Sequence, residues 1–230
     1  MASRGHELMK YAAMIPVRKG SERLPIKNYL TLGSERIFEH TILKTKKTGL
    51  FDYIFLNTED SELRSVSEQH EIGFHLRQPH LASSSASSDA VVLDALNNLA
   101  PDFQYLIWIN TASPLTTLDD IRAAVDLCRR REPRSFVSTR LTRGHLSYKD
   151  QPLNFSFSGG FQRTQELTPA HEFNYALMGW HRDCIKALSA GILFDKDTCF
   201  LETSWWSNQL LKKPNDYEVI KRLYTLTEEE

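Results

Sequence analysis

The sequence is short of the features that mark whole classes of protein. Its 230 residues hold only three cysteines, Cys128, Cys184 and Cys199, with no Cys-x-x-Cys pair among them. An odd, scattered set does not suggest a disulfide framework and fits a reducing, cytoplasmic setting. No apolar run approaches the ~18 residues that a membrane span requires, so no membrane partner is expected. Charge of one sign is lacking too. The 28 Lys and Arg against 29 Asp and Glu leave a net charge of −1, which gives no basic excess for general nucleic-acid binding. No Ser-His-Asp order and no metal-spaced His/Cys cluster stands out, there is no internal repeat, and low complexity is confined to Ser83–Ser88. What remains, at 41% hydrophobic and 25% charged residues, is the composition of a globular protein with a small-molecule partner.

One stretch near the start carries most of the chemistry. An apolar run from Tyr11 to Val17, readable as a buried strand, opens past Pro16 into a loop bearing Arg18, Lys19, Arg23 and Lys27, with Gly20 where backbone could approach a ligand closely. Four cations at one strand-to-loop junction repel one another unless an anion sits among them, and a nucleoside triphosphate is the obvious candidate. Taken alone, the stretch reads equally well as a solvated basic loop beside a core strand.

Downstream, apolar runs of strand length alternate with segments of helical spacing. Ile37, Phe38, Ile42 and Leu43 mark a helix ending at Lys46, Lys47 and Gly49. Tyr53–Leu56 reads as a strand, and Thr58 as the cap of a helix reaching His70. Phe74–Leu76 is a second short strand. A helix over 89–99 follows the serine run, whose hydroxyls are expected to cap it. Tyr105–Ile109 is the most apolar strand, and Thr117 with Asp120 forms a capping box for a helix to Arg131. This alternation as far as Thr139 predicts βαβ units on a mostly parallel, doubly wound sheet, with ligands bound beyond the carboxyl ends of the strands. A polar excursion follows, marked by Gly144, Pro152 and Gly159-Gly160. A core strand over 175–180, a helix over 182–190, a strand piece at Phe200-Leu201 and a closing helix over 216–223 complete the chain.

Three further segments join the cationic loop: Arg77-Gln78-Pro79-His80-Leu81-Ala82 with Ser88; Asn110-Thr111-Ala112-Ser113-Pro114-Leu115; and Arg163-Thr164-Gln165 followed by Asn174-Tyr175-Ala176-Leu177. In this order, over roughly residues 10–225, they resemble the acylneuraminate cytidylyltransferases, the CMP-sialic acid synthetases. The resemblance implies a nucleotide-diphosphosugar-transferase-like α/β fold over residues 10–230, after a leader or disordered terminus at 1–9, with 140–174 as a small β-rich dimerisation excursion. It implies a homodimer that joins CTP to a sialic-acid-like nonulosonic or related 2-keto-3-deoxy sugar acid, releasing pyrophosphate, with Mg2+ as cofactor. By position, Arg18 and Lys27 are its catalytic cations. Ser21, Arg23, Asn28, Arg77 and Ser88 join them in nucleotide binding, and Asn110, Arg163, Gln165 and Asn174 meet the sugar.

Several positions depart from the family pattern. Glu22 replaces a lysine, Thr116 an arginine after Pro-Leu, and Glu172 a second sugar-side arginine. The two magnesium aspartates fall on Leu210 and Lys212, although Asp216-Tyr217 matches the family's following pair. Lys212 could supply positive charge directly. Two alternatives therefore stand beside the synthetase reading: a catalytically silent nucleotide- or sugar-binding homologue, and a nucleotidyltransferase for another acceptor. Among the rest, Asp195-Lys196-Asp197 reads as a solvated turn, Cys128 as core, Trp205-Trp206 as core or dimer contact, and His145 and His171 as surface.

Overall fold

The computed structural model describes residues 9–21, 23–158 and 160–227; the expectations on residues 1–8, Glu22 and Gly159 lie outside them. From β1 (Lys10–Val17) the chain passes a 3-10 turn at Lys27–Tyr29 and the two-residue strands β2 (Thr31–Leu32) and β3 (Glu35–Arg36). It continues through α1 (Ile37–Thr48), β4 (Tyr53–Thr58), α2 (Arg64–Gln69) and β5 (Gly73–Leu76). Then come α3 (Ser88–Asn98), β6 (Phe103–Ile109), α4 (Leu118–Arg131), β7 (Ser135–Thr142), the short pair β8 (Ser147–Tyr148) and β9 (Gln151–Pro152), β10 (Ala170–His181), α5 (Ile185–Ser189), β11 (Cys199–Glu202) and α6 (Pro214–Thr227).

Seven strands form one sheet in the order β11-β7-β10-β6-β1-β4-β5. β1 pairs in parallel with both β4 and β6, β4 with β5, and β7 with β11, whereas β10 runs antiparallel to both β6 and β7. This is the mostly parallel α/β architecture that the alternation predicts. Every β1 residue after Lys10 is buried, because side chains of both parities meet helices. Tyr11 and Ala13 pack with Ile121, Val125 and Cys128 of α4; Ile15 and Val17 pack with Phe38 and Ile42 of α1; Ala12 and Met14 pack with Val92 and Leu96 of α3 on the opposite face.

The winding places the crevice. From β1 the chain moves outward to β4 and β5, then returns to add β6 on the other flank of β1. The order in which strands are added reverses between β1 and β6, and at such a switch point the loops beyond the strand ends diverge and leave an opening.

Local chemistry explains the boundaries. Gly49 closes α1 at φ 65° with its N–H on the carbonyl of Lys46, and Thr117 caps α4 as its spacing predicts, accepting from Asp120 N at 3.1 Å. Three helix starts differ from expectation. Thr58 is the last residue of β4, and Asp60 caps the turn that follows, accepting from Glu62 N at 3.1 Å. The serine run gives α3 no side-chain cap. The closing helix starts at Pro214, which fits the first helical turn because it needs no N–H there. The excursion is shorter than 140–174. Residues 140–142 pair with 170–172, and Phe173 with Thr139, as the outer reach of β7 and β10, so both ends belong to the main sheet. Among the described residues, no helix is long and apolar enough to cross a membrane.

Candidate functional site

The loop after β1 folds back on itself. Ile26 takes a left-handed conformation, φ 49°, immediately before Lys27. That conformation is costly for a β-branched residue and is held only where the surroundings over-determine it. The surroundings here include Asn28, which is buried: its Nδ2 donates to the Arg18 carbonyl at 2.9 Å, and its Oδ1 accepts from Thr111 Oγ1 at 2.8 Å. One amide thus ties the end of β1 to the loop after β6, across the switch point. On the β6 side, Asn110 Nδ2 donates to the carbonyl of Tyr175, itself at φ 55° beside the irregularity in β10.

The opening so framed is a cleft lined by Arg18, Ser21, Lys27, Asn28, Arg77 and Asn110, with Trp108 and Thr111 beside them, Ser83 and Ala86 from the approach to α3, and Val91 from its first turn. Six positions singled out in the sequence therefore share one wall-to-wall site. Arg77 is buried beneath it. Its guanidinium donates to Asn57 Oδ1 at 3.2 Å, the Val17 carbonyl at 3.3 Å and Glu59 Oε2 at 2.8 Å, while the other oxygen of Glu59 accepts from Lys19 N at 2.8 Å. Glu59, which no sequence motif singles out, therefore holds both Arg77 and the backbone of the cationic loop.

The cations separate into two groups. Burial, and then the nearby positive charges of Arg18 and Arg23, push the Lys27 ammonium below its ordinary value. These three form a mutually repelling cluster of the kind that an anion relieves. Lys19 does not belong to it. Its ammonium pairs with Asp60 at 3.3 Å and Glu62 at 3.4 Å, and those carboxylates raise its pKa.

Other sequence candidates lie elsewhere. Ser88 is the exposed first residue of α3 and is absent from the cleft lining, although Ser83 and Ala86 line it. Arg163 is exposed and pairs with Glu166 at 3.5 Å on the excursion, with Gln165 exposed beside it. Asn174 is 5% exposed, with all its bonding capacity engaged inside the protein. Its Oδ1 accepts from Ser138 Oγ at 2.5 Å and Ala176 N at 3.0 Å, and its Nδ2 donates to Thr203 Oγ1 at 2.8 Å and Asn208 Oδ1 at 2.6 Å. Asn174 thus knits β10 to the chain around β11. Glu172 pairs with Arg140, and Thr116 is buried against Ser113. Asp195–Asp197 is a self-bonded turn, Cys128 is core, and His145 stacks on Phe161 in the excursion.

The residues at the expected magnesium position do not fit that ion, which takes oxygen ligands. Leu210 and Lys212 carry no side-chain oxygen, and Asp216 spends Oδ2 accepting from Lys212 N at 2.8 Å and Lys213 N at 2.7 Å. Among the described residues, no three His, Cys, Asp or Glu side chains cluster as a metal site. The segment nevertheless lies against the site: Leu211 is buried beside Leu24 and Leu115, and its N–H donates to the Ala112 carbonyl at 2.8 Å.

Comparison with known proteins adds the following. Residues 12–156 match the cytidylyltransferase family, a match that ends before the 210–216 segment. An N-acylneuraminate cytidylyltransferase of Streptococcus agalactiae serotype III is 28% identical over 177 residues, 74% of this chain and only 43% of that protein. A pseudaminic acid cytidylyltransferase of Campylobacter jejuni is 25% identical over 173 residues, 71% of this chain and 75% of that one. Among solved structures, a CMP:2-keto-3-deoxy-manno-octonic acid synthetase complexed with CTP superposes with a TM-score of 0.69 at 14% identity, covering 95% of this chain and 99% of that one. The likeness to that structure is one of fold.

Proposed function

The chain belongs to the cytidylyltransferase family, and on that membership we propose that it joins CTP to a sialic-acid-like sugar acid, giving a CMP-sugar and pyrophosphate. The observation that carries this reading is the convergence of Arg18, Lys27, Asn28, Arg77 and Asn110 on one cleft at the switch point of the sheet. The relatives similar in sequence are named as cytidylyltransferases of acylneuraminic and pseudaminic acids.

In this reading the anomeric hydroxyl oxygen of the acceptor attacks the α-phosphorus of CTP. A new P–O bond forms as the bond to the bridging oxygen of the β-phosphate breaks, the hydroxyl proton is lost, and pyrophosphate carries away the negative charge. Such a displacement needs positioning and charge neutralisation more than covalent help. Arg18, Lys27 and Arg23 supply the charge, Ser21 and Arg77 line the nucleotide side, and Asn110 lines the acceptor side. Lys27 gains most, since its pKa is depressed by burial and then by Arg18 and Arg23, and the triphosphate offsets both with negative charge beside the ammonium. Arg163 and Gln165, outside the cleft, would act on the sugar from the excursion of a second copy in a homodimer. No step is assigned to magnesium, because the residues at its expected position do not hold it.

That same misfit favours a second reading, in which the cleft binds nucleotide without turning it over. Incubating the protein with CTP and a panel of nonulosonic and 3-deoxy-octonic sugar acids, with magnesium or with EDTA, separates the two. The proposed function predicts pyrophosphate release with at least one acceptor. CTP binding without pyrophosphate from any acceptor establishes the silent homologue.

A further inference from the structure

Three buried side-chain donors have no hydrogen-bond partner among the described residues: Asn57 Nδ2, Arg77 Nε and Trp108 Nε1. Arg77 and Trp108 both line the cleft. A buried N–H without an acceptor is costly, and in a folded protein it calls for an explanation, such as a ligand that supplies the acceptor. Trp108 is the more telling of the two, since the guanidinium of Arg77 is otherwise well bonded.

Trp108 lies near the carboxyl end of β6, in register with Met14 of β1 and Met178 of β10, and packs on the α3 side of the sheet. Trp180 belongs to the same hydrophobic cluster and donates its indole N–H to the Leu193 carbonyl at 2.8 Å. Packing on this face therefore does not by itself leave an indole unbonded. An aromatic ring with one neutral donor suits a ligand that offers apolar carbon and an uncharged oxygen together.

Position within the cleft narrows the choice. The cations stand on the β1 and β5 side, at Arg18, Lys27 and Arg77, whereas Trp108 and Asn110 form a neutral wall on the β6 side. Phosphates are drawn to the first wall, and neutral polar groups are left for the second. Building on the synthetase reading, we infer that Trp108 is a ligand-contacting residue whose Nε1–H donates to a hydroxyl or carbonyl oxygen of the polyhydroxylated acceptor.

Indole-15N labelling reports on this bond whether or not the protein turns over, because the chain has only four tryptophans and Trp108→Phe identifies the signal by its loss. The other three indole signals verify that the variant is folded. Titration with CTP and then, in its presence, with N-acetylneuraminate, pseudaminic acid and 2-keto-3-deoxy-manno-octonic acid should leave the Trp108 signal nearly in place until an acceptor binds, and then shift it downfield. Where there is turnover, Trp108→Phe should raise the acceptor KM about five- to tenfold, the loss of one hydrogen bond, with CTP affinity unchanged. A shift completed by CTP alone gives the donor to the nucleotide and overturns the acceptor assignment. Calorimetric CTP binding with no shift under any addition overturns the inference while leaving the nucleotide site intact. Absence of CTP binding removes the synthetase reading and this inference with it.

Discussion

At the scale of the residue, Lys27 carries the sharpest consequence of the site. Its pKa is lowered by burial and by Arg18 and Arg23, so part of the population is neutral at alkaline pH below the ordinary lysine value. A bound triphosphate favours the ammonium form and raises the pKa again. CTP binding should therefore take up protons at alkaline pH, and affinity should fall as pH rises through the free-state pKa. Calorimetry in two buffers of different ionisation enthalpy measures the uptake, and Lys27→Met should abolish it. Proton release, or none in the wild type, contradicts the placement of Lys27 among the phosphates. The residues of this cluster were legible because four cations around Gly20 have no business at a strand end without an anion. The desertion of Lys19 to Asp60 and Glu62 was not legible, since it depends on β4 lying beside β1. Glu59 and Trp108 were hidden for a related reason. An acidic residue in a turn and an aromatic in a strand are ordinary until the fold shows what faces them.

At the scale of the element, the loop after β6 is held from behind by α1. Lys44 donates through Nζ to the carbonyls of Pro114 at 2.9 Å and Thr116 at 3.2 Å, and burial pushes its ammonium down to about 8. Between about pH 8 and the ordinary lysine value the unfolded chain holds this proton more tightly than the folded one. Unfolding then takes up a proton, and stability rises with pH in that window, by at most roughly 1.4 kcal/mol per pH unit. Urea unfolding at pH 8, 9 and 10 should show this contribution in the wild type and its loss in Lys44→Met, so that the variant falls behind as pH rises. Parallel stability curves would show that Lys44 is not buried as described. Elements with a local signal were read correctly: β1 and the strand around Tyr105–Ile109 from their apolar runs, the start of α4 from Thr117 and Asp120, and the end of α1 from Gly49. The outer reach of β7 and β10 carries no strand signal of its own, since Arg140, Thr142, His171 and Glu172 interrupt the apolar pattern there, and only the pairing of the two segments with each other makes them strand.

At the scale of the whole molecule, the fold turns a short basic loop into a site. β1 is buried on both faces, the winding reverses beside it, and Asn28 locks the loops of β1 and β6 together across the opening. The architecture follows from alternating strands and helices, so it was visible before the structure. The misfit at Leu210, Lys212 and Asp216 was visible in part, and the backbone bonds that occupy Asp216 complete it. The central claim is that this cleft is a CTP site built on Arg18 and Lys27, and titration of CTP into the wild type, Arg18→Ala and Lys27→Ala by calorimetry tests it most directly. Each substitution should weaken CTP binding by more than ~1 kcal/mol, at least about fivefold, as the loss of a charge-assisted contact requires. Unchanged affinity in both variants, or a wild type that does not bind CTP, would contradict it.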